Sequence, residues 1–95
     1  MLNLTVEQFA AHLNDRFTAS HGTTRLELSL IEAAPTGKGG AEGRAPFALL
    51  FHGPLVPLLP QAICRFEHPA FPPLDIFIVP VGPEGQSMRY EAIFS

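Results

Sequence analysis

His52, Cys64 and His68 are the residues whose side chains could bind a metal, because thiolate and imidazole groups are the ligands that zinc prefers. Their spacing matches no zinc-binding pattern. Cys64 and His68 alone would lie about 13 Å apart on one strand face, at about 3.3 Å per residue. A lone buried cysteine usually behaves as a small hydrophobic residue. We therefore expect no metal site and no cofactor, and structural or solvent-exposed positions for all three residues.

Nucleophilic catalysis would need Cys64 or a serine beside a histidine that a carboxylate orients. The alternating sequence puts Cys64 on an inner strand face next to Phe66, where a thiolate would be poorly solvated. No serine lies in the G-x-S-x-G context of a nucleophile elbow. Glu67 and Asp75 are typical of solvated strand positions rather than of general acids or bases. We therefore predict no catalytic residue, and we expect the protein not to be an enzyme.

The stretch "FALLFHGPLVPLLPQ", residues 47–61, begins like a strand and then has prolines at positions 54, 57 and 60. Prolines three residues apart fit the three-residue turn of a polyproline helix. The positions between them are all large and apolar: Leu55, Val56, Leu58 and Leu59. Two interpretations stay open, a stiff connection lying on the domain's own core and a docking surface for a protein partner. If a partner surface exists, we predict that these four residues form it, because a stiff segment cannot turn all four side chains inward.

One helix is predicted, at the N-terminus, over about residues 5–14. Thr5 and Gln8 have the spacing of a capping box, in which each side chain accepts a hydrogen bond from a backbone N–H at the start of the helix. An apolar stripe at positions i, i+3, i+4 and i+7 follows: Val6, Phe9, Ala10 and Leu13.

After the helix the apolar pattern changes to a period of two and predicts about six strands. A glycine-rich segment interrupts them at residues 33–46, and we expect a flexible surface loop there. The segment "LDIFIVPV" is apolar on both faces, which predicts that other parts of the protein pack against both faces. Short turns without crossover helices favour an antiparallel sheet or a partly open small barrel. The predicted fold class is mainly β (α+β), in a single domain spanning residues 1–95.

Composition excludes several kinds of partner. The chain has 95 residues and a formal net charge of −3, and its six basic residues are scattered, so we expect no nucleic-acid partner. No apolar run approaches the roughly 20 residues of a membrane helix, so we expect no membrane partner. The N-terminus lacks the pattern of a signal peptide, and the single cysteine cannot form an internal disulfide. We expect a cytoplasmic protein.

Four motifs resemble a small bacterial family of domains of unknown function: "FALLFHGP", "LPQ", "FIVPVG" and "YEAIF". In that family the pattern looks like F-x-L-L-F-x-G-P, L-P-Q, F-x-V-P-V-G and Y-E-A-x-F, and the resemblance covers roughly residues 5–95. It brings no catalytic residues with it. Members of this family are often encoded close to phage-tail-collar-like fibre proteins. The resemblance therefore implies a role in making or fitting such fibres.

The leading hypothesis is a non-enzymatic protein-interaction or assembly accessory module that binds a protein partner. The alternative is a β-barrel domain that binds a small apolar ligand, and an enzyme ranks third. The sequence has no cluster of polar residues at a spacing that catalysis would need. This favours the interaction module and the ligand-binding barrel over an enzyme. A homo-oligomer is compatible with the sequence, which does not identify the partner.

Overall fold

One short helix precedes six strands in the computed structural model, which describes residues 4–36 and 46–94. The elements in chain order are α1 (Val6–Ala10), β1 (Arg16–His21), β2 (Thr24–Pro35), β3 (Phe47–Pro54), β4 (Ala62–His68), β5 (Phe71–Glu84) and β6 (Ser87–Phe94). The prediction of a mainly β fold with about six strands and one N-terminal helix is confirmed.

The strands form a closed barrel in the order β1-β2-β3-β6-β5-β4, and every pairing is antiparallel. The ring closes where β1 pairs with β4, with Ala19 opposite Phe66. The partly open barrel of the sequence prediction is therefore corrected to a closed one. Closure pairs each strand on both sides and removes the unpaired edges of an open sheet.

Antiparallel pairing places the connections alternately at two ends of the barrel. We call one the helix end, because α1 leads into the start of β1 there. We call the other the bridge end, because residues 55–61 connect β3 to β4 there. These two strands are three positions apart in the six-stranded ring, so the connection must cross the mouth of the barrel. We call residues 55–61 the proline bridge.

Side chains fill the barrel interior, as expected for a barrel with so few strands. The inner positions alternate along each strand, and the core also includes one residue from α1 and one from the proline bridge. The buried residues are Phe9, Phe17, Ala19, Leu26, Leu28, Leu30, Phe47, Leu49, Phe51, Leu59, Cys64, Phe66, Leu74, Ile76, Ile78, Tyr90 and Ala92.

The start of α1 follows the sequence prediction. Gln8 N–H donates to Thr5 Oγ1 at 3.3 Å, and Thr5 N–H donates to Gln8 Oε1 at 2.9 Å, so the capping box is confirmed. Phe9 is fully buried and closes the helix end, with its ring stacked on Phe71 at a centroid distance of 5.0 Å.

The helix ends at Ala10, earlier than the predicted residue 14. Residues 11–14 form turns, and Asn14 has a positive φ of 72°. Asn14 N–H donates to the Leu30 carbonyl of β2. This hydrogen bond attaches residue 14 to the barrel, so the helix does not continue through it. Leu13, predicted to continue the apolar stripe, is consequently exposed.

Two further expectations about the strands need correction. Residues 33–35 of the predicted loop belong to β2, because they pair with β3, and residues 37–45 of that loop lie outside the described residues.

The segment predicted to be covered on both faces lies in β5, where Ile76 and Ile78 are buried but Phe77 and Val81 are exposed. The prediction of two covered faces is wrong because the barrel is one closed layer, so only the inward face of β5 reaches the core.

Candidate functional site

The proline bridge presents apolar side chains at the surface. Val56 is 83% exposed, Leu58 48% and Leu55 38%, and no residue of the bridge carries a charge. Exposed apolar groups that lie close together on a small domain often mark a site of protein interaction. Three of the four residues predicted to contact a partner are therefore brought to the surface together.

Leu59 is the member of the predicted set that does not reach the surface. Its side chain is 1% exposed and fills the mouth of the barrel at the bridge end. Its backbone N–H donates a hydrogen bond to the Tyr90 hydroxyl at 3.0 Å, and Tyr90 is itself fully buried in β6. Leu59 cannot contact a partner in this position. It anchors the bridge, which holds the three exposed side chains outward.

The residues considered as metal ligands are not brought together. Cys64 is buried in the interior, and burial raises the pKa of its thiol. His52 lies near the bridge end, where its Nε2 is 3.3 Å from Glu84 Oε1. This distance suits an ion pair, but the two groups are not aligned for a hydrogen bond. His68 lies at the opposite end of the barrel, at the end of β4.

His68 instead contacts two residues outside the set predicted from the sequence, His12 and Asp15. Asp15 Oδ2 is 2.9 Å from His68 Nε2 and 3.0 Å from His12 Nδ1. The hydrogen bond from His68 and then that from His12 lower the pKa of Asp15 below its ordinary value. We call these three residues the His-Asp-His cluster.

The hydrogen-bond geometry of the cluster indicates which ring nitrogens carry protons. An ionised carboxylate can only accept, so His68 Nε2 and His12 Nδ1 both carry protons. Ala70 N–H donates to the other ring nitrogen of His68, Nδ1, at 2.9 Å. A histidine that binds a metal through Nε2 normally donates from Nδ1 instead. The geometry of His68 therefore suits proton sharing with Asp15 and fits a metal ligand poorly.

Among the described residues, nothing supplies the third member of a catalytic triad to this cluster. Within residues 4–36 and 46–94, no hydroxyl or thiol group forms a hydrogen bond with either imidazole. The His68 ring packs against Phe17 at a centroid distance of 4.5 Å, and its side chain is 8% exposed. The arrangement connects the chain after α1 to the end of β4.

The sequence contained only part of the signal for this cluster. His12 and Asp15 are three residues apart, a spacing that brings side chains together on a helical turn. His68 is 53 residues from Asp15, and nothing in the local pattern connects them.

Among the described residues, no helix has the length and apolar composition that crossing a membrane requires.

A protein-family model with the description "Domain of unknown function (DUF6916)" matches residues 4–94. No curated protein and no solved structure matches the chain significantly. The expectation of a family of domains of unknown function is confirmed.

Proposed function

The chain belongs to the DUF6916 family, and we propose that this member is a non-enzymatic interaction module that docks on a partner protein through its proline bridge. The observation that carries the proposal is the exposure of Val56 and Leu58 on a bridge that Leu59 anchors. Exposing these apolar groups to water is unfavourable, by about 25 cal/mol per Å². A partner that covers them would recover this free energy.

The bridge is also suited to binding because it is held in place before a partner arrives. Pro57 and Pro60 restrict the backbone, and the hydrogen bond from Leu59 to Tyr90 fixes the bridge to the barrel. A rigid segment loses little conformational entropy on docking. This supports a binding role over that of a loosely packed connection.

A barrel that binds a small apolar ligand is the weaker proposal, because side chains already fill the interior. Inner positions of all six strands are occupied by buried side chains. Phe9 covers one mouth of the barrel and Leu59 the other. A ligand inside the barrel would have to displace this core.

The partner class follows from the family resemblance described above. A phage-tail-collar-like fibre protein is the partner that the resemblance implies, and we propose an accessory role in the assembly of such a fibre. The uncharged, apolar character of the bridge supports an apolar contact site on that partner.

The test is the double variant Val56→Ser/Leu58→Ser, with partner recovery from the native cell measured by pull-down and mass spectrometry. We expect recovery to fall at least about tenfold, because both substitutions remove apolar surface from the contact. Leu13→Ser/Ile93→Ser is the control, because both residues are apolar and exposed, 41% and 57%, at the helix end of the barrel. Unchanged recovery by a folded Val56→Ser/Leu58→Ser variant would remove the bridge from the interface.

A further inference from the structure

A continuous series of contacts joins His68 to the helix that closes the barrel. Ala70 N–H donates to His68 Nδ1 at 2.9 Å, in the turn between β4 and β5. The next residue, Phe71, stacks on Phe9 with an interplanar angle of 16°. These contacts connect the hydrogen bonding of the His68 ring to the packing of Phe9 in the mouth of the barrel.

The two imidazoles of the His-Asp-His cluster differ in their capacity to accept a further proton. His12 Nδ1 donates to Asp15, and no described residue hydrogen-bonds its Nε2, which can take up a proton without the loss of a bond. His68 has no such nitrogen. Its Nε2–H donates to Asp15 and its Nδ1 accepts from Ala70, so a proton at Nδ1 must break the second bond.

The other charged groups around the cluster are largely engaged elsewhere. In the described residues, Asp15 is the only carboxylate that contacts an imidazole of the cluster. Three ion pairs form among the remaining charged groups on the packed strands: Arg16 with Glu27 at 3.5 Å, Arg25 with Glu67 at 3.5 Å, and Arg65 with Glu67 at 3.8 Å. Asp75 lies opposite Arg65 in the strand register. Glu32 of β2 and Glu7 of α1 form no ion pair with an imidazole of the cluster within the described residues.

We propose that this cluster is a proton-operated latch, in which protonation of His68 releases Ala70 and Phe71 and loosens the Phe9 contact at the helix end. A proton that His12 takes up binds at Nε2 and leaves the bond to Asp15 intact. That imidazolium already balances the single negative charge of Asp15.

The proton that His68 takes up is the one that opens the latch. At His68 Nδ1 it faces the N–H of Ala70, and it adds a second cation whose ring centroid is 4.8 Å from that of His12. The His68 side chain is 8% exposed, so water cannot replace the lost hydrogen bond within the closed structure. The turn therefore moves away, while the strands stay paired.

The test is NMR of the full chain between about pH 7.5 and about pH 5, the range in which histidines ordinarily titrate. Nitrogen shifts of the imidazoles report which ring nitrogen carries a proton, and hydrogen exchange reports the protection of single amides. At the higher pH we expect the Nε2–H tautomer of His68 and a protected Ala70 amide. At the lower pH we expect protection at Ala70 to fall about tenfold or more, while protection at Leu49 in β3 stays unchanged.

Two results would overturn the latch. One is an Nδ1–H tautomer of His68 at the higher pH. The other is full protection at Ala70 at the lower pH, with His68 either charged or still neutral. In the variant His68→Gln the pH dependence of Ala70 amide protection should disappear, whereas the exposed His21→Gln control should retain it. If His68→Gln does not fold, the tautomer and protection measurements on the unaltered protein decide the question.

Discussion

One carboxylate oxygen of Asp15 accepts hydrogen bonds from two imidazoles that come from different parts of the chain. The ionised form is the one that accepts both bonds, and for this reason the pKa of Asp15 is lowered. The contribution of the carboxylate to folding is therefore fully present above its ordinary pKa. It is lost as the pH falls through the lowered pKa of the folded state.

Asp15→Asn is expected to reduce the free energy of unfolding at neutral pH, because the amide oxygen is a weaker acceptor for two imidazole donors. The difference from the unaltered protein should shrink once the pH is below 3.8, the ordinary value for this group. Urea unfolding of both proteins at neutral and at strongly acidic pH measures this difference. A stability difference that is equal at both pH values would contradict the role assigned to the carboxylate.

At the scale of elements, the proline bridge and α1 close opposite mouths of the barrel, and each does so with one buried side chain. Phe9 serves this purpose at the helix end and Leu59 at the bridge end. A five-residue helix has little stability of its own, so packing on the barrel must hold it in place. The bridge has no regular backbone hydrogen bonds of its own either. The hydrogen bond from Leu59 N–H to the Tyr90 hydroxyl of β6 holds it on the barrel instead.

Tyr90→Phe removes the hydroxyl that accepts the Leu59 N–H and leaves a buried donor without a partner. We expect a loss of about 1–3 kcal/mol in the free energy of unfolding, measured by urea denaturation. Val56→Ala on the same bridge should change it by less than about 0.5 kcal/mol, because Val56 is 83% exposed. A Tyr90→Phe variant as stable as the unaltered protein would show that the bridge does not depend on this bond.

At the scale of the whole molecule, a single core links all six strands. Each strand pairs with two neighbours, and the buried side chains of the six strands meet inside one closed layer. No strand can detach without breaking its hydrogen bonds to both neighbouring strands and exposing the core. Small domains with one core usually unfold in a single cooperative step.

We therefore expect the loss of β structure and the exposure of the core to occur at the same urea concentration. Tyr90 is the only tyrosine in a chain without tryptophan, and it is fully buried, so its fluorescence reports on the core. Far-ultraviolet circular dichroism reports on the strands. Two separated transitions at neutral pH would show that part of the barrel unfolds independently.

The sequence by itself determined the features that depend on neighbouring residues. Alternation of apolar side chains predicted the strands, and the spacing of Thr5 and Gln8 predicted the start of α1. Cys64 was placed correctly on an inner face by the same alternation. These signals are readable because side-chain direction repeats every two residues in a strand and every 3.6 residues in a helix.

The tertiary structure decided what depends on residues far apart in the chain. Closure of the barrel rests on the pairing of β1 with β4, and the selection of Leu59 for the core rests on the position of the Tyr90 hydroxyl. The cluster at Asp15 required His68, which the barrel brings there from the end of β4. Local periodicity carries no information about strand order or about which loop crosses a mouth, because those follow from how the whole chain buries its apolar surface.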